Sequence, residues 1–370
     1  MSCSGPLAGT RVLEFAALGP VPFCGMLLAD LGAEVLRIDR PGTSEKPVDI
    51  LARGKSSMIL DLKSSGDRER ALEAACRADV LLDGLRPGTM ERLGLGPDVV
   101  LAKAPQLIYT RITGWGQTGP LAHTAGHDIN YIAVAGALGA FGPAGSPPVA
   151  PINLVGDFGG GALYAAFGIA SALVERQRSG KGQVIDAAMV DGTASMLAML
   201  LSHQQGGRSG TGTRRGEYFL DGSAPYYRAY ACADGRWLAL GAIEPQFWSI
   251  FLGKLGIERD LSQAPDRWAE VTALLEERFR ARPRDEWIAM FDGSDACVSP
   301  VLTAAELPGF PHLAARETFI TRDGLFQPAA APRFSRTPGG IQGAPTRVGA
   351  DGEQLLASWA AHRHAQNSAT

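Results

Sequence analysis

Short β-branched and apolar runs alternate with longer stretches of helical periodicity over the first 190 residues. This is the order expected of a parallel sheet wrapped by helices. Residues 11–15 (Arg-Val-Leu-Glu-Phe) read as a first strand, 16–22 as a loop, 23–31 as a helix stopped by Gly32, and 34–38 as a second strand. Together they make a βαβ unit, with the right-handed crossover such units adopt. Residues 57–60, 80–83 and 107–113 continue the strand series, with a helix at 67–77. The series is doubly wound in type. Two more helices are predicted, at 159–178, opened by Gly159-Gly160-Gly161, and at 189–205.

After residue 205 the pattern changes. Residues 206–216 are dense in glycine and arginine and read as a flexible linker. Alternation at 226–232 and 236–242 around Ala233-Asp234-Gly235 predicts a hairpin. Helical patterns at 246–255, 267–281 and 284–291 follow, then an apolar run at 297–302, which suggests a smaller α+β domain. From Pro308 on, prolines and glycines dominate, and the chain is expected to run back along the first domain. The expected organisation is a large Rossmann-like domain over 1–190, a helix and linker over 191–217, a small domain over 218–305, and a return segment over 306–370 that completes the large domain.

A length of 370 residues with 45% hydrophobic composition leaves room for a core in each domain. Glycine, at 46 of 370 residues, stands well above the usual share of roughly 7% and has no collagen-like period, so it should mark tight turns and close backbone approaches. Lys and Arg (35) nearly balance Asp and Glu (38), and no basic run suits a nucleic-acid backbone. Cys3, Cys24, Cys76, Cys232 and Cys297 are odd in number and never spaced C-x-x-C, against a disulfide framework or a zinc site. A cytoplasmic location without a membrane span is expected: no signal-peptide pattern opens the chain, its last residues are not a peroxisomal address, and the longest apolar stretch, 162–174, is too short to cross a bilayer.

The loop after the first strand holds one glycine, Gly19, in place of G-x-G-x-x-G, so a nicotinamide-linked dehydrogenase starts behind. The densest polar cluster in apolar surroundings is Gly126-His127-Asp128-Ile129-Asn130-Tyr131, after Thr113-Gly-Trp-Gly-Gln-Thr-Gly-Pro120. Neutral imidazole is the natural base near pH 7, and a carboxylate neighbour would hold its tautomer. The same residues also fit a helix start capped by Asp128. Asp157, in Asn153-Leu-Val-Gly-Asp157-Phe-Gly-Gly-Gly161, reads either as an N-cap or as a carboxylate beside free helix-opening amides that face a developing oxyanion. Glu244, before Pro245, is a third acid at a helix start. Basic residues in Arg37-Ile-Asp-Arg40, Asp61-Leu-Lys63 and Arg86 to Arg92 lie near strand ends, where open α/β sheets bind ligands. Met189, Met196 and Met199 recur at helical spacing and form either core or an accommodating apolar face.

With these motifs assembled, the chain resembles the class III CoA-transferase family and, within it, the racemase branch. Agreement extends through Gly5-Pro-Leu-Ala-Gly-Thr-Arg-Val-Leu-Glu14, Asp30-Leu-Gly-Ala-Glu-Val-Leu-Arg-Ile-Asp-Arg-Pro41, Gly180-Lys-Gly-Gln-Val-Ile-Asp-Ala-Ala-Met-Val-Asp-Gly192 and the clusters around His127, Asp157 and Glu244. The resemblance implies an interlocked homodimer that acts on 2-methylacyl-CoA thioesters with no cofactor or metal. His127 and Asp157 would be its two acid/base residues, and Glu244 would orient the histidine. CoA would contact Arg40, Leu60, Asp61, Leu62, Lys63, Gly84, Leu85, Arg86, Arg92 and Gly126 to Tyr131. The methionines would bear the acyl chain. Two rivals remain: a transferase of the same fold using Asp157 as nucleophile, and a catalytically silent CoA-binding protein.

Overall fold

The computed structural model describes residues 4–46, 48–207, 212, 214–257 and 261–367, with side chains described as far as residue 360. Cys3 and residues 208–211 and 213 of the expected linker lie outside the described residues. Contacts divide the chain into two compact units.

The larger unit takes in residues 1–135, 152–196 and 312–370. Its first part runs β1 (Arg11–Phe15), α1 (Pro20–Asp30), β2 (Glu34–Asp39), β3 (Lys55–Ile59), α2 (Ser65–Arg77), β4 (Val80–Asp83), α3 (Thr89–Arg92), α4 (Pro97–Lys103), β5 (Ile108–Thr113) and α5 (Asp128–Val134). A π-helix (Leu154–Leu163), α6 (Tyr164–Ser179), β6 (Val184–Ala188) and α7 (Met189–Met196) follow. The strands form one six-stranded sheet in the order β3-β2-β1-β4-β5-β6, every pair parallel. The order reverses between β1 and β4, which is the doubly wound arrangement the sequence predicts.

β4 reads as an apolar run because both its faces are covered; every residue of β4 and β5 is buried, β5 carrying Thr110, Arg111 and Thr113 among its apolar residues. β6 has no counterpart among the expected strands. It is an edge strand with two β-branched residues and a partly exposed Val184. Helix α1 begins three residues before the expected start. Pro20 is its first residue, and proline fits the first turn, where the missing N–H would have no intrahelical partner.

Two corrections concern the glycine-rich segment. The predicted helix at 159–178 begins earlier, at Leu154, and continues unbroken to Ser179 as a 26-residue helix. By length and composition it is the one helix among the described residues apolar enough to cross a membrane. The 162–174 run understated it, because glycines 156–161 are helical. The helix packs against β5, β6, α1 and α7. The predicted helix at 189–205 is two helices: α7 ends at Met196 and α8 (Ala198–Gln205) belongs to the other unit.

The smaller unit comprises residues 136–151 and 197–311. Besides α8 it holds β7 (Tyr227–Ala231), β8 (Trp237–Gly241), α9 (Pro245–Lys254), α10 (Trp268–Phe279), α11 (Arg284–Phe291) and β9 (Val298–Pro300). The antiparallel sheet β7-β8-β9 and its helices enclose an aromatic core of Trp248, Phe251, Phe279, Trp287 and Phe291. Both indoles are satisfied: Trp248 Nε1–H donates to Leu261 O (2.7 Å) and Trp287 Nε1–H to Phe279 O (2.9 Å). Residues 136–151, expected in the large domain, cluster here. Arg215 of the linker holds them by donating to Pro143 O (3.0 Å) and Ser146 O.

The return segment rejoins the larger unit through α12 (Pro311–Ala315), the hairpin β10 (Phe319–Arg322) and β11 (Leu325–Pro328), and α13 (Gly352–Asn367). Trp359 of α13 is fully buried and donates to Glu34 Oε2 (2.7 Å). Arg53 ties β11 to α1, pairing with Asp30 (2.5 Å) and donating to Gln327 Oε1 (3.0 Å) and Pro328 O (2.7 Å).

A second buried pair crosses the sheet itself. Glu14 in β1 and Lys55 in β3 meet at 2.6 Å, both side chains 0% exposed, and Lys55 also donates to Pro22 O (2.9 Å). Burial pushes the Glu14 carboxyl up and the Lys55 ammonium down, each partly offset by the other. A Cβ on Gly25 would fall 1.9 Å from Glu14 Oε2, so α1 needs glycine there. Removing one partner strands the other charge. Lys55→Met should lower the unfolding free energy by about 3–5 kcal/mol, and Glu14→Gln/Lys55→Met together by clearly less, as measured by urea denaturation.

Candidate active site

The loops that leave the carboxyl ends of β1 to β4 enclose a cleft of about 1200 Å³. It opens at the point where strand order reverses, the place ligands take in open α/β sheets. Of the expected CoA contacts, Arg40, Leu60, Asp61, Leu62, Lys63 and Leu85 line it. Leu60 is fully buried and offers only backbone, while Arg40 and Lys63 are exposed. Lys63 N–H donates to Asp61 Oδ1 (3.0 Å) and Leu85 N–H to Asp83 Oδ1 (2.8 Å), so carboxylates shape both turns. Gly84, Arg86 and Arg92 are not part of the cleft wall. Gly84 packs on α1: a Cβ there would lie 2.5 Å from Val21 Cγ2. Exposed Arg92 donates to Thr89 Oγ1 (3.0 Å).

His127 and Asp157 are brought together at the other side of the β1 loop. His127 is the exposed N-cap residue of α5, and its N–H donates to Asn130 Oδ1 (3.0 Å). Asp128, the next residue, is only 9% exposed and turns inward. Its Oδ2 accepts the Asp157 N–H at 2.7 Å, while its Oδ1 is buried without a partner among the described residues. Asp128 therefore fastens the start of α5 to the π-helix. Its carboxylate is thus committed to backbone inside the protein, which leaves its own amide as the group it could offer a ligand. Gly156 makes room for it, since a Cβ there would stand 2.5 Å from Asp128 Oδ2.

Asp157 is half-buried inside the π-helix and is not the residue before it. Burial raises its pKa, Asn153 Nδ2–H donating to Oδ2 (3.3 Å) lowers it, the Asp128 charge raises it and His127 lowers it. The net direction is upward. The amides expected to face an oxyanion are not free. Phe158 N–H donates to Asn153 O (3.2 Å), and those of 159–161 lie in the π-helical ladder, where each N–H reaches five residues back.

Gly19 presses on the carboxylate from the β1 loop. It sits at φ +66°, and a Cβ would lie 2.5 Å from Asp157 Oδ2. Phe23 of α1 stacks on Phe158 (4.1 Å between centroids) and closes that side. Of the remaining cluster residues, Ile129 is exposed, whereas Tyr131 is 8% exposed, edge-on to Trp115 and donating to Gly126 O. Burial raises the Tyr131 pKa, Asp157 raises it further and Arg86 opposes both, which sets Arg86 near this cluster.

The methionines do not form one surface. Met189 is 6% exposed and belongs to the core against Gly161, because α7 turns that face inward. Met196 is 45% exposed and lies beside Gly159, two residues from Asp157. Met199 is exposed on α8, in the smaller unit. Glu244, also in that unit, is the exposed N-cap residue of α9, and its side chain makes no cap hydrogen bond. Among the described residues no group of three or more His, Cys, Asp or Glu is placed to hold a metal ion.

Sequence reasoning missed Gly19, Asn153 and Gly156 as parts of the site, and Arg347, which lines the cleft from the return segment. The glycine excess was the available signal for the first and third. Residues 7–352 match CoA-transferase family III. The chain is 47% identical over 339 residues to the alpha-methylacyl-CoA racemase of Mus musculus and 45% identical over 336 residues to that of Homo sapiens, each match covering 90% of this chain and 87% of the relative. A crystal structure of a CAIB/BAIF family protein from Brucella suis superposes with a TM-score of 0.83 at 27% identity, covering 96% of this chain and all of that one.

Asp128 should add to the effect of burial on the ionisation of its neighbour. Asp128→Asn keeps an oxygen for the Asp157 amide but removes the charge, so the Asp157 pKa should fall while staying raised by burial. Carboxyl-carbon NMR titration checks this, and an unchanged Asp157 pKa would refute the coupling.

Proposed function

The chain belongs to CoA-transferase family III, and from that membership we propose that it interconverts the (2R) and (2S) epimers of 2-methylacyl-CoA thioesters by removing and returning the α-proton. The observation that carries the reading is the pairing of His127 with a carboxylate of raised pKa, Asp157, on two helices fastened to each other by Asp128. A nucleophilic aspartate, as the transferase reading requires, needs no imidazole partner. A silent CoA-binding protein needs neither.

The α-proton of a thioester is weakly acidic, so its removal calls for a base at the carbon and a donor at the oxygen that becomes an enolate. Inversion then calls for an acid on the opposite face. Neutral His127 takes the proton from one epimer while protonated Asp157 delivers one to the other face, and the roles exchange in reverse. The raised pKa of Asp157 favours this sharing, because the acid form survives closer to neutral pH than for a free carboxyl group. Two organic bases suffice, and no cofactor or metal enters the proposal.

The oxyanion donor is proposed to be the Asp128 amide in place of those after Asp157. As the first residue of α5 it has no intrahelical acceptor, and it adjoins His127. Glu244 is proposed to orient the histidine within an interlocked homodimer. Its uncommitted side chain and the exposed apolar Phe167 and Val174 of α6 support that extension. Met196 is proposed as the acyl-chain contact nearest Asp157; Met189 is withdrawn from that role.

Incubating one 2-methylacyl-CoA epimer with the enzyme in deuterium oxide should place label at the α-carbon and yield both epimers. Transfer of CoA to a free acid with no label at that carbon would overturn the reading in favour of the transferase.

A further inference from the structure

The return segment ends as a fixed arm on the cleft. Pro345 bridges to Arg53 and Asp351 to Ser57. Thr346 N–H donates to Ala52 O (3.1 Å) and Ser57 N–H to Ala350 O (2.8 Å). Buried Ser57 serves both neighbours through its hydroxyl, which donates to Asp39 Oδ2 (2.5 Å) and accepts the Gly349 N–H (2.7 Å). Between these ties stands Arg347. Its carbonyl accepts the Ala350 N–H (3.2 Å), and its exposed side chain has no ion-pair or hydrogen-bond partner among the described residues.

The other cations of the cleft divide into two kinds. Arg37 is buried against Asp39 (2.8 Å) and Lys46 is paired with Asp49 (3.2 Å). Arg40 and Lys63, like Arg347, are exposed in the cleft wall with no carboxylate partner among the described residues. Three uncommitted cations thus reach one cleft from three stretches of chain: the end of β2, the end of β3, and an arm nearly three hundred residues later. Gly19, which touches the reacting carboxylate, lines the same cleft.

We propose that Arg347 is a phosphate-binding residue that completes, with Arg40 and Lys63, a three-cation cradle for the nucleotide end of the CoA thioester. The proposal rests on the CoA-thioester reading above. A guanidinium is suited to it, because its planar fork takes two phosphate oxygens at once. Latching the segment to β3 fixes the backbone from which that fork extends before ligand arrives, which reduces the ordering cost of binding to that of the side chain.

Titration calorimetry of the whole protein with adenosine 3′,5′-bisphosphate and with ADP tests this. Arg347→Ala should weaken the bisphosphate about tenfold, Arg347→Lys should recover part of the loss, and the difference should shrink in high salt. Loss confined to the bisphosphate assigns Arg347 to the 3′-phosphate; equal loss on ADP assigns it to the 5′-phosphates. An Arg347→Ala protein that binds both as the parent does overturns the proposal and leaves the CoA reading intact. A parent that binds neither these nucleotides nor CoA overturns both. Arg347 makes no side-chain contact that folding needs, and a melting curve matching the parent's confirms that the variant is folded.

Discussion

One hydrogen bond organises the proposed reacting end of this molecule: the Asp157 amide donating to the buried carboxylate of Asp128 at 2.7 Å. His127 caps α5 and Asp157 sits inside the π-helix, so two acid/base groups from segments thirty residues apart keep a fixed relation only if those backbones are joined. Asp128 joins them, and several sequence choices follow from that. Position 156 must be glycine because a side chain would occupy the carboxylate's place, and position 19 must be glycine because the Asp157 carboxylate leans on it. The same bond puts a negative charge next to Asp157, so the contact that fixes position also raises the pKa.

The π-helix gives this arrangement its form. A wider helix reaches five residues back for each hydrogen bond, and such turns, rare overall, are frequent at functional sites. Here it lets a carboxylate stand within the helix against the β1 loop, with Phe158 held by Phe23. Elsewhere in the larger unit, buried ion pairs join β1 to β3 through Glu14 and Lys55 and α1 to the Arg53 that holds β11. Such pairs add little net stability, but they constrain geometry, because any other packing would leave a charge without its partner.

Much of the fold was legible because its signals are local. β1, β2, β4 and β5 are almost wholly buried and built on Val, Leu, Ile and aromatic residues, and the small unit's hairpin declares itself by alternation around Asp234-Gly235. β6 was not legible, since an edge strand needs few β-branched residues. The start of the long helix was placed at Gly159 instead of Leu154, because glycine disfavours helix unless close packing requires it. Of the site, His127 and Asp157 stood out as polar residues amid glycine and apolar neighbours. Their coupling did not. Nothing in spacing distinguishes an Asp128 that turns inward from one that faces a ligand, and nothing in a heptad of methionines separates buried Met189 from exposed Met196. Arg347 was invisible for a different reason: its place depends on a chain reversal that only the tertiary fold supplies.

The central claim is that two different groups each serve one face of the α-carbon. Its most direct test offers each 2-methylacyl-CoA epimer separately, in deuterium oxide, to His127→Asn and Asp157→Asn proteins, with proton NMR following the α-hydrogen. The account predicts that each variant exchanges the α-proton of one epimer only, without inverting it, and that the two variants choose opposite epimers. Either variant exchanging both epimers at the parent rate would contradict it.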